Sequence, residues 1–170
     1  MIKGKIELDS ITWFSSNRIS HYYFVKRPDG ELDMVDTSAP VERLKIDLFL
    51  KQKNKKLKRL LLTHGHADHA GNAQYLKQKY NCEVHAHPHE LPFLHGKAKL
   101  NNRDYTGINP FGRLIQFGDW MFGQPLCKEA APLTECENYA IIPLHGHTPG
   151  SVGILHKETK SLFLGDALLN

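Results

Sequence analysis

The chain has 170 residues, of which 41% are hydrophobic and 24% charged; this supports one domain over residues 1–170 with an ordinary core and leaves little room for two. The formal net charge is only +4, and the lysines gather at residues 51–59 without interleaved aromatics, so a solvated helix end is expected there and a nucleic-acid partner is not. Residues 1–11 alternate charged and apolar side chains and lack the unbroken apolar run of a signal peptide or membrane span, which points to a soluble, cytoplasmic protein with no membrane partner.

Residues 19–26 and 31–37 are β-rich and flank Arg27-Pro28-Asp29-Gly30, where proline presets one dihedral and glycine permits a positive one, so a hairpin is predicted. A helix is predicted over residues 40–53, with Val41, Leu44, Leu48 and Phe49 on its buried face and Pro40 in its first turn. Residues 58–63 carry three consecutive leucines and read as a strand buried on both faces. A second helix is predicted over residues 68–80, burying Ala73, Leu76 and Tyr80 and ending at Asn81, followed by a short strand at 83–87. Residues 91–137 lack clear periodicity beyond a strand at 113–117, whereas 139–144, 151–156 and 161–164 read as strands, the last two joined by a turn at 158–160. This order predicts an α/β fold with helices packed on a sheet.

Cys82, Cys127 and Cys136 are odd in number and have no CxxC spacing, so they read as free thiols. Histidine occurs 11 times and clusters. Four potential ligands fall within six positions in His64-Gly65-His66-Ala67-Asp68-His69, between a buried strand and a helix. Where the chain is extended, His64 and His66 project to one side and can approach one metal together, while Asp68 and His69, past the turn, can address a second. So many polar groups at a strand end are expensive to desolvate unless a metal or hydrogen bonds satisfy them. Downstream, His145-Gly146-His147-Thr148-Pro149-Gly150-Ser151 is a Gly/Pro-rich loop suited to carry a ligand, and an apolar strand ends on Gly165-Asp166, whose carboxylate has two oxygens and can bridge two cations.

The HxHxDH run at residues 64–69, the GHTPGS run at 146–151 and the Gly165-Asp166 pair, in that order, resemble the metallo-β-lactamase superfamily, and Asp36 resembles the family aspartate that supports the metal ligands from behind. The resemblance implies an αββα sandwich of which the N-terminal and central parts are present. It also implies a first metal on His64, His66 and His147, a second on Asp68 and His69, and Asp166 between them. His145 lies outside that pattern and reads as supporting the ligands or facing solvent. The family pattern ends with one further histidine, and none follows His156. The domain is therefore expected to be C-terminally incomplete, a fragment or a shortened protein, with Leu162, Leu164 and Leu168 wanting a cover that a homodimer would supply.

Two zinc ions would bring a shared water near neutrality as a hydroxide nucleophile, with Asp68 orienting it. The implied activity is hydrolysis of a small ester-like, thioester or lactone substrate, similar to the glyoxalase II branch. The same motifs resemble iron persulfide dioxygenases, for which His64, His147 and Asp166 would hold one Fe2+; a third reading is a truncated, non-catalytic metal-binding relative. His85, His87 and His89 alternate but read as a strand end without a metal, and His21 and His95 are given no role. Residues 96–137, including Arg103, Tyr105, Trp120 and Lys128, are the expected substrate-shaping region.

Overall fold

The predicted hairpin is present and lies within a seven-stranded sheet. The computed structural model describes residues 5–8, 10–16, 20–99 and 123–167. Strands β1 (Lys5–Leu8), β2 (Ile11–Ser16), β3 (Ser20–Lys26), β4 (Leu32–Val35), β5 (Leu57–Leu61), β6 (Glu83–Ala86) and β7 (Ala131–Pro132) lie side by side in chain order. The first four pair antiparallel, and β4 to β7 pair parallel. A second, antiparallel sheet holds β8 (Tyr139–Pro143), β9 (Val152–His156) and β10 (Ser161–Phe163), in the order β10-β9-β8. The strand expected at 113–117 and the residues Arg103, Tyr105, Trp120 and Leu168 lie outside the described residues.

Period-two alternation divides the core into two layers. On β3, Tyr22 and Phe24 face a layer with Phe14, Phe49 and Leu60, whereas Tyr23 and Val25 face the second sheet, where Tyr23 meets Phe163 at 4.6 Å between ring centres. The helices α1 (Arg43–Lys53), α3 (Ala73–Tyr80) and α4 (Leu91–Leu94) put their buried apolar residues into the first layer. The layers therefore run helices, large sheet, small sheet. No helix among the described residues is long and apolar enough to cross a membrane. Leu162, on the small sheet, is exposed, as expected.

Two helix expectations are corrected. In α1 the buried face is Ile46, Phe49 and Leu50, while Val41, Leu44 and Leu48 are 65%, 68% and 52% exposed. The reason lies just ahead of the helix, in a 3-10 turn at Pro40–Glu42. Glu42 is buried there and accepts hydrogen bonds from Ser16 Oγ and Tyr22 OH, which fixes the rotation of everything that follows. The predicted helix over 68–80 is two helices, α2 (Ala67–Ala70) and α3, parted at Gly71-Asn72. Asn72 Nδ2 donates to the carbonyls of Thr37, Ser38 and Ala39, and a Cβ at Gly71 would meet Ala67 O at 2.3 Å. This junction ties the HxHxDH segment to the loop after β4. Asp47 of α1 in turn accepts from Tyr80 OH at 2.7 Å and Lys79 Nζ at 2.6 Å, fastening α1 to α3.

Candidate metal centre

The parallel strands β4 and β5 end at one edge, and the chain delivers Asp36 and then Thr63 to Ala67 there; His87 to Glu90 follow β6 at the same edge. From the second sheet come the β8–β9 loop with His147 and the turn after β10 with Asp166. Asp36 has a left-handed backbone, φ 53°, which aspartate tolerates better than most residues. Its Oδ1 accepts Thr63 N–H at 2.8 Å, and its Oδ2 accepts Thr63 Oγ1 at 2.7 Å and His69 Nδ1 at 2.8 Å. Gly165 also has a positive φ, and a Cβ there would meet Thr63 Oγ1 at 2.6 Å, so glycine lets the chain carrying Asp166 lie against the loop after β5.

The structure brings the sequence-predicted residues together. His64 Nε2 lies 3.1 Å from His66 Nδ1, which lies 2.9 Å from His147 Nε2; the three rings stand nearly perpendicular, with centres 4.7 to 4.8 Å apart. His147 Nε2 is 3.2 Å from Asp166 Oδ2, and His69 Nε2 is 2.9 Å from Asp166 Oδ1 and 3.9 Å from Asp68 Oδ2. Two groups result, His64/His66/His147/Asp166 and Asp68/His69/Asp166, with donor atoms in each within 4.8 Å of one another. His145 is exposed and belongs to neither; its Nδ1 donates to Pro149 O at 3.0 Å.

The hydrogen bonds fix ring tautomers. Thr63 Oγ1 gives its single hydrogen to Asp36, so its 3.2 Å contact with His64 Nδ1 is made by the imidazole donating, which leaves the His64 Nε2 lone pair facing His66. His69 likewise donates Nδ1–H to Asp36. Its Nε2 is buried and 2.9 Å from Asp166 Oδ1, out of line for a hydrogen bond. A lone pair facing a carboxylate in a buried site calls for a cation between them. Nitrogen and carboxylate donors oriented by carboxylate and hydroxyl partners fit a divalent transition metal.

With no cation in the cluster, a proton on His69 takes the place of one. Burial alone lowers the pKa of His69, but the carboxylates of Asp36, Asp166 and Asp68 overcome it and hold the imidazole well above its ordinary value. Burial and the neighbouring His69 and His66 push His64 well below. For Asp166 burial acts upward, yet the His147 imidazole at hydrogen-bond distance and the close, charged His69 ring hold it far below the usual carboxylate range.

Sequence reasoning missed Glu90. It is fully buried and accepts from Gly65 N–H, Thr148 Oγ1 and Gly150 N–H, each at 2.8 Å, joining the HxHxDH and GHTPGS segments through one carboxylate. A glutamate after a histidine-rich strand carries no local signal for this, because its partners are 25 to 60 residues away. His21 was also given no role; it accepts a hydrogen bond from Trp13 Nε1 at 3.2 Å, and burial followed by the charge of His69 lowers its pKa.

The model of the Metallo-beta-lactamase superfamily matches residues 16–170. The chain belongs to the metallo-beta-lactamase superfamily. Within it, the chain is 30% identical over 157 residues to the probable metallo-hydrolase YybB of Bacillus subtilis, covering 88% of this chain and 62% of that protein. It is 33% identical over 140 residues to the hydroxyacylglutathione hydrolase GloC of Haemophilus influenzae, covering 79% and 60%. The solved structure of TTHA1623 in a di-iron-bound form superposes with a TM-score of 0.61 at 22% identity, covering 85% of this chain and 65% of that one. The metallo-beta-lactamase fold is thus shared, and the chain spans about three fifths of the length of these curated relatives.

Proposed function

We propose that the chain works as a metal-dependent hydrolase on a small acyl substrate, a thioester ahead of an ester or lactone, with two zinc ions at the cluster. The observation that carries this reading is Asp166, whose two oxygens lie 3.2 Å from His147 Nε2 and 2.9 Å from His69 Nε2, so that one carboxylate serves both groups. His64, His66 and His147 would hold one ion, and Asp68 and His69 the other. Bound there, such cations supply an acidified water and polarisation of the substrate oxygen. The chain's own residues set the rest. Asp36 and Thr63 hold the rings of His69 and His64 in the tautomers that present Nε2. Asp68, partly exposed at the rim of the cluster, would accept a hydrogen bond from the attacking water, and Glu90 keeps the two ligand loops in register.

The preference for a thioester is supported by several curated relatives named hydroxyacylglutathione hydrolases. An oxygenase with one iron on His64, His147 and Asp166 would leave unexplained why His66 is packed 2.9 Å from His147, whereas the hydrolase uses all six residues. The test is turnover of a hydroxyacylglutathione thioester by zinc-loaded protein. Hydrolysis removed by a chelator, restored by zinc and lost in a His66→Ala, His69→Ala variant is expected. Fully loaded protein that cleaves no thioester, ester or lactone would sink the proposal.

A further inference from the structure

The first residues of β3 run along the edge of the metal centre. Residues 21, 23 and 25 alternate onto the face of the large sheet that meets the second sheet, where Tyr23 packs on Phe163, just ahead of Asp166 in the chain. Tyr23 pairs with Val35 in the antiparallel register, and continuing that register sets His21 level with Thr37, the residue after Asp36. Two contacts fix the same level: Ser20 Oγ and Ser38 Oγ are 2.7 Å apart, and Thr37 N–H donates to His69 O at 2.6 Å. His21 therefore shares both a sheet face and a sheet edge with the cluster, and the charges of His69 and Asp166 reach it.

Trp13 decides what the His21 ring offers. It pairs with Tyr23 from β2 and lies on the same face; its indole Nε1–H, which can only donate, is 3.2 Å from His21 Nδ1, and the two rings meet edge-on with centres 5.3 Å apart. Nδ1 therefore accepts, and the imidazole carries its proton on Nε2. A second proton on Nδ1 would set two N–H groups against each other, so the indole keeps the ring neutral. Burial, and then the charge of His69, act the same way, with Asp166 opposing more weakly. β3 lies between β2 and β4, so a ring whose Nδ1 is turned to β2 directs Nε2–H to the β4 side, where Asp36, His69 and Asp166 stand. That N–H meets no acceptor among the described residues, and His21 is partly exposed, so an entering molecule can take the bond. A neutral single donor suits a neutral oxygen such as a hydroxyl, while the thioester carbonyl is the oxygen that metals polarise.

Resting on the hydrolase reading above, we propose that His21 is a specificity-determining residue: its Nε2–H donates to a hydroxyl on the carbon next to the thioester carbonyl, so that hydroxyacyl groups are preferred to plain acyl groups. The experiment measures kcat and KM of zinc-loaded protein for the 2-hydroxypropanoyl thioester of glutathione and for its propanoyl counterpart, which differs only in the hydroxyl. The parent should favour the hydroxyacyl substrate by about five- to tenfold in kcat/KM, as one neutral hydrogen bond at a partly exposed group allows. His21→Phe should bring that ratio to about one at the parent's zinc content. His21→Gln, whose amide nitrogen stands near the place of Nε2, should keep most of the preference. No preference in the parent, an undiminished preference in His21→Phe, or a loss of zinc in that variant would overturn this assignment and leave the hydrolase reading intact. Zinc-loaded parent that cleaves neither thioester would overturn the thioester reading and this assignment with it.

Discussion

Asp36 accepts three hydrogen bonds, and through them it orients His69 directly and His64 by way of Thr63. Partners of this kind commonly change metal affinity by about 10–100-fold. Asp36→Ala should therefore weaken zinc binding by about that factor, measured by competition with a chromogenic chelator; unchanged affinity would show that the rings are held by something else. Glu90 acts on backbone rather than on rings. Its replacement by alanine removes the acceptor of two buried backbone N–H groups and of the Thr148 hydroxyl, at about 1 kcal/mol or more each, so Glu90→Ala should lower unfolding free energy by about 2–3 kcal/mol in urea titration. Gly165→Ala meets both a positive φ and Thr63 Oγ1, and should lower metal occupancy as well as stability because it displaces Asp166.

At the scale of elements, α1 shows what a periodic pattern leaves open. Val41, Leu44, Leu48 and Phe49 describe one helical face and Ile46, Phe49 and Leu50 another, and both recur at helical spacing. The choice is made by Glu42, whose partners Ser16 and Tyr22 sit on β2 and β3, far from it in the chain. Leu44→Ala should change stability by less than about 0.5 kcal/mol, whereas Ile46→Ala should cost about 2–5 kcal/mol. Equal effects in thermal or urea unfolding would reverse the assignment of the buried face. The break between α2 and α3 was illegible for a similar reason: Gly71 and Asn72 fit a continuous helix by spacing, and only the carbonyls of residues 37–39 turn the chain. The hairpin at residues 27–30, the leucine-rich β5 and the three late strands were legible, because turn residues and apolar runs are local signals.

Across the whole molecule, the candidate-site motifs were readable because each is contiguous, and His64, His66, Asp68, His69, His147 and Asp166 do meet in space. What surrounds them was not, since Glu90 and the approach of His21 depend on a fold that packs the second sheet against the first. The two layers also sort the cysteines. Burial pushes the Cys82 and Cys127 thiols up to about 11, while Cys136 is partly exposed beside Arg59. Native protein at pH 8 should therefore label quickly at Cys136 alone, with the other two reacting only on unfolding, as peptide mass mapping can establish.

The most direct test of the account is the number of zinc ions bound per chain by the parent protein and by the His66→Ala, His69→Ala variant, which removes one residue from each side of Asp166. The account predicts that the variant binds two fewer ions at the same free zinc. An unchanged number would contradict a two-metal cluster centred on Asp166.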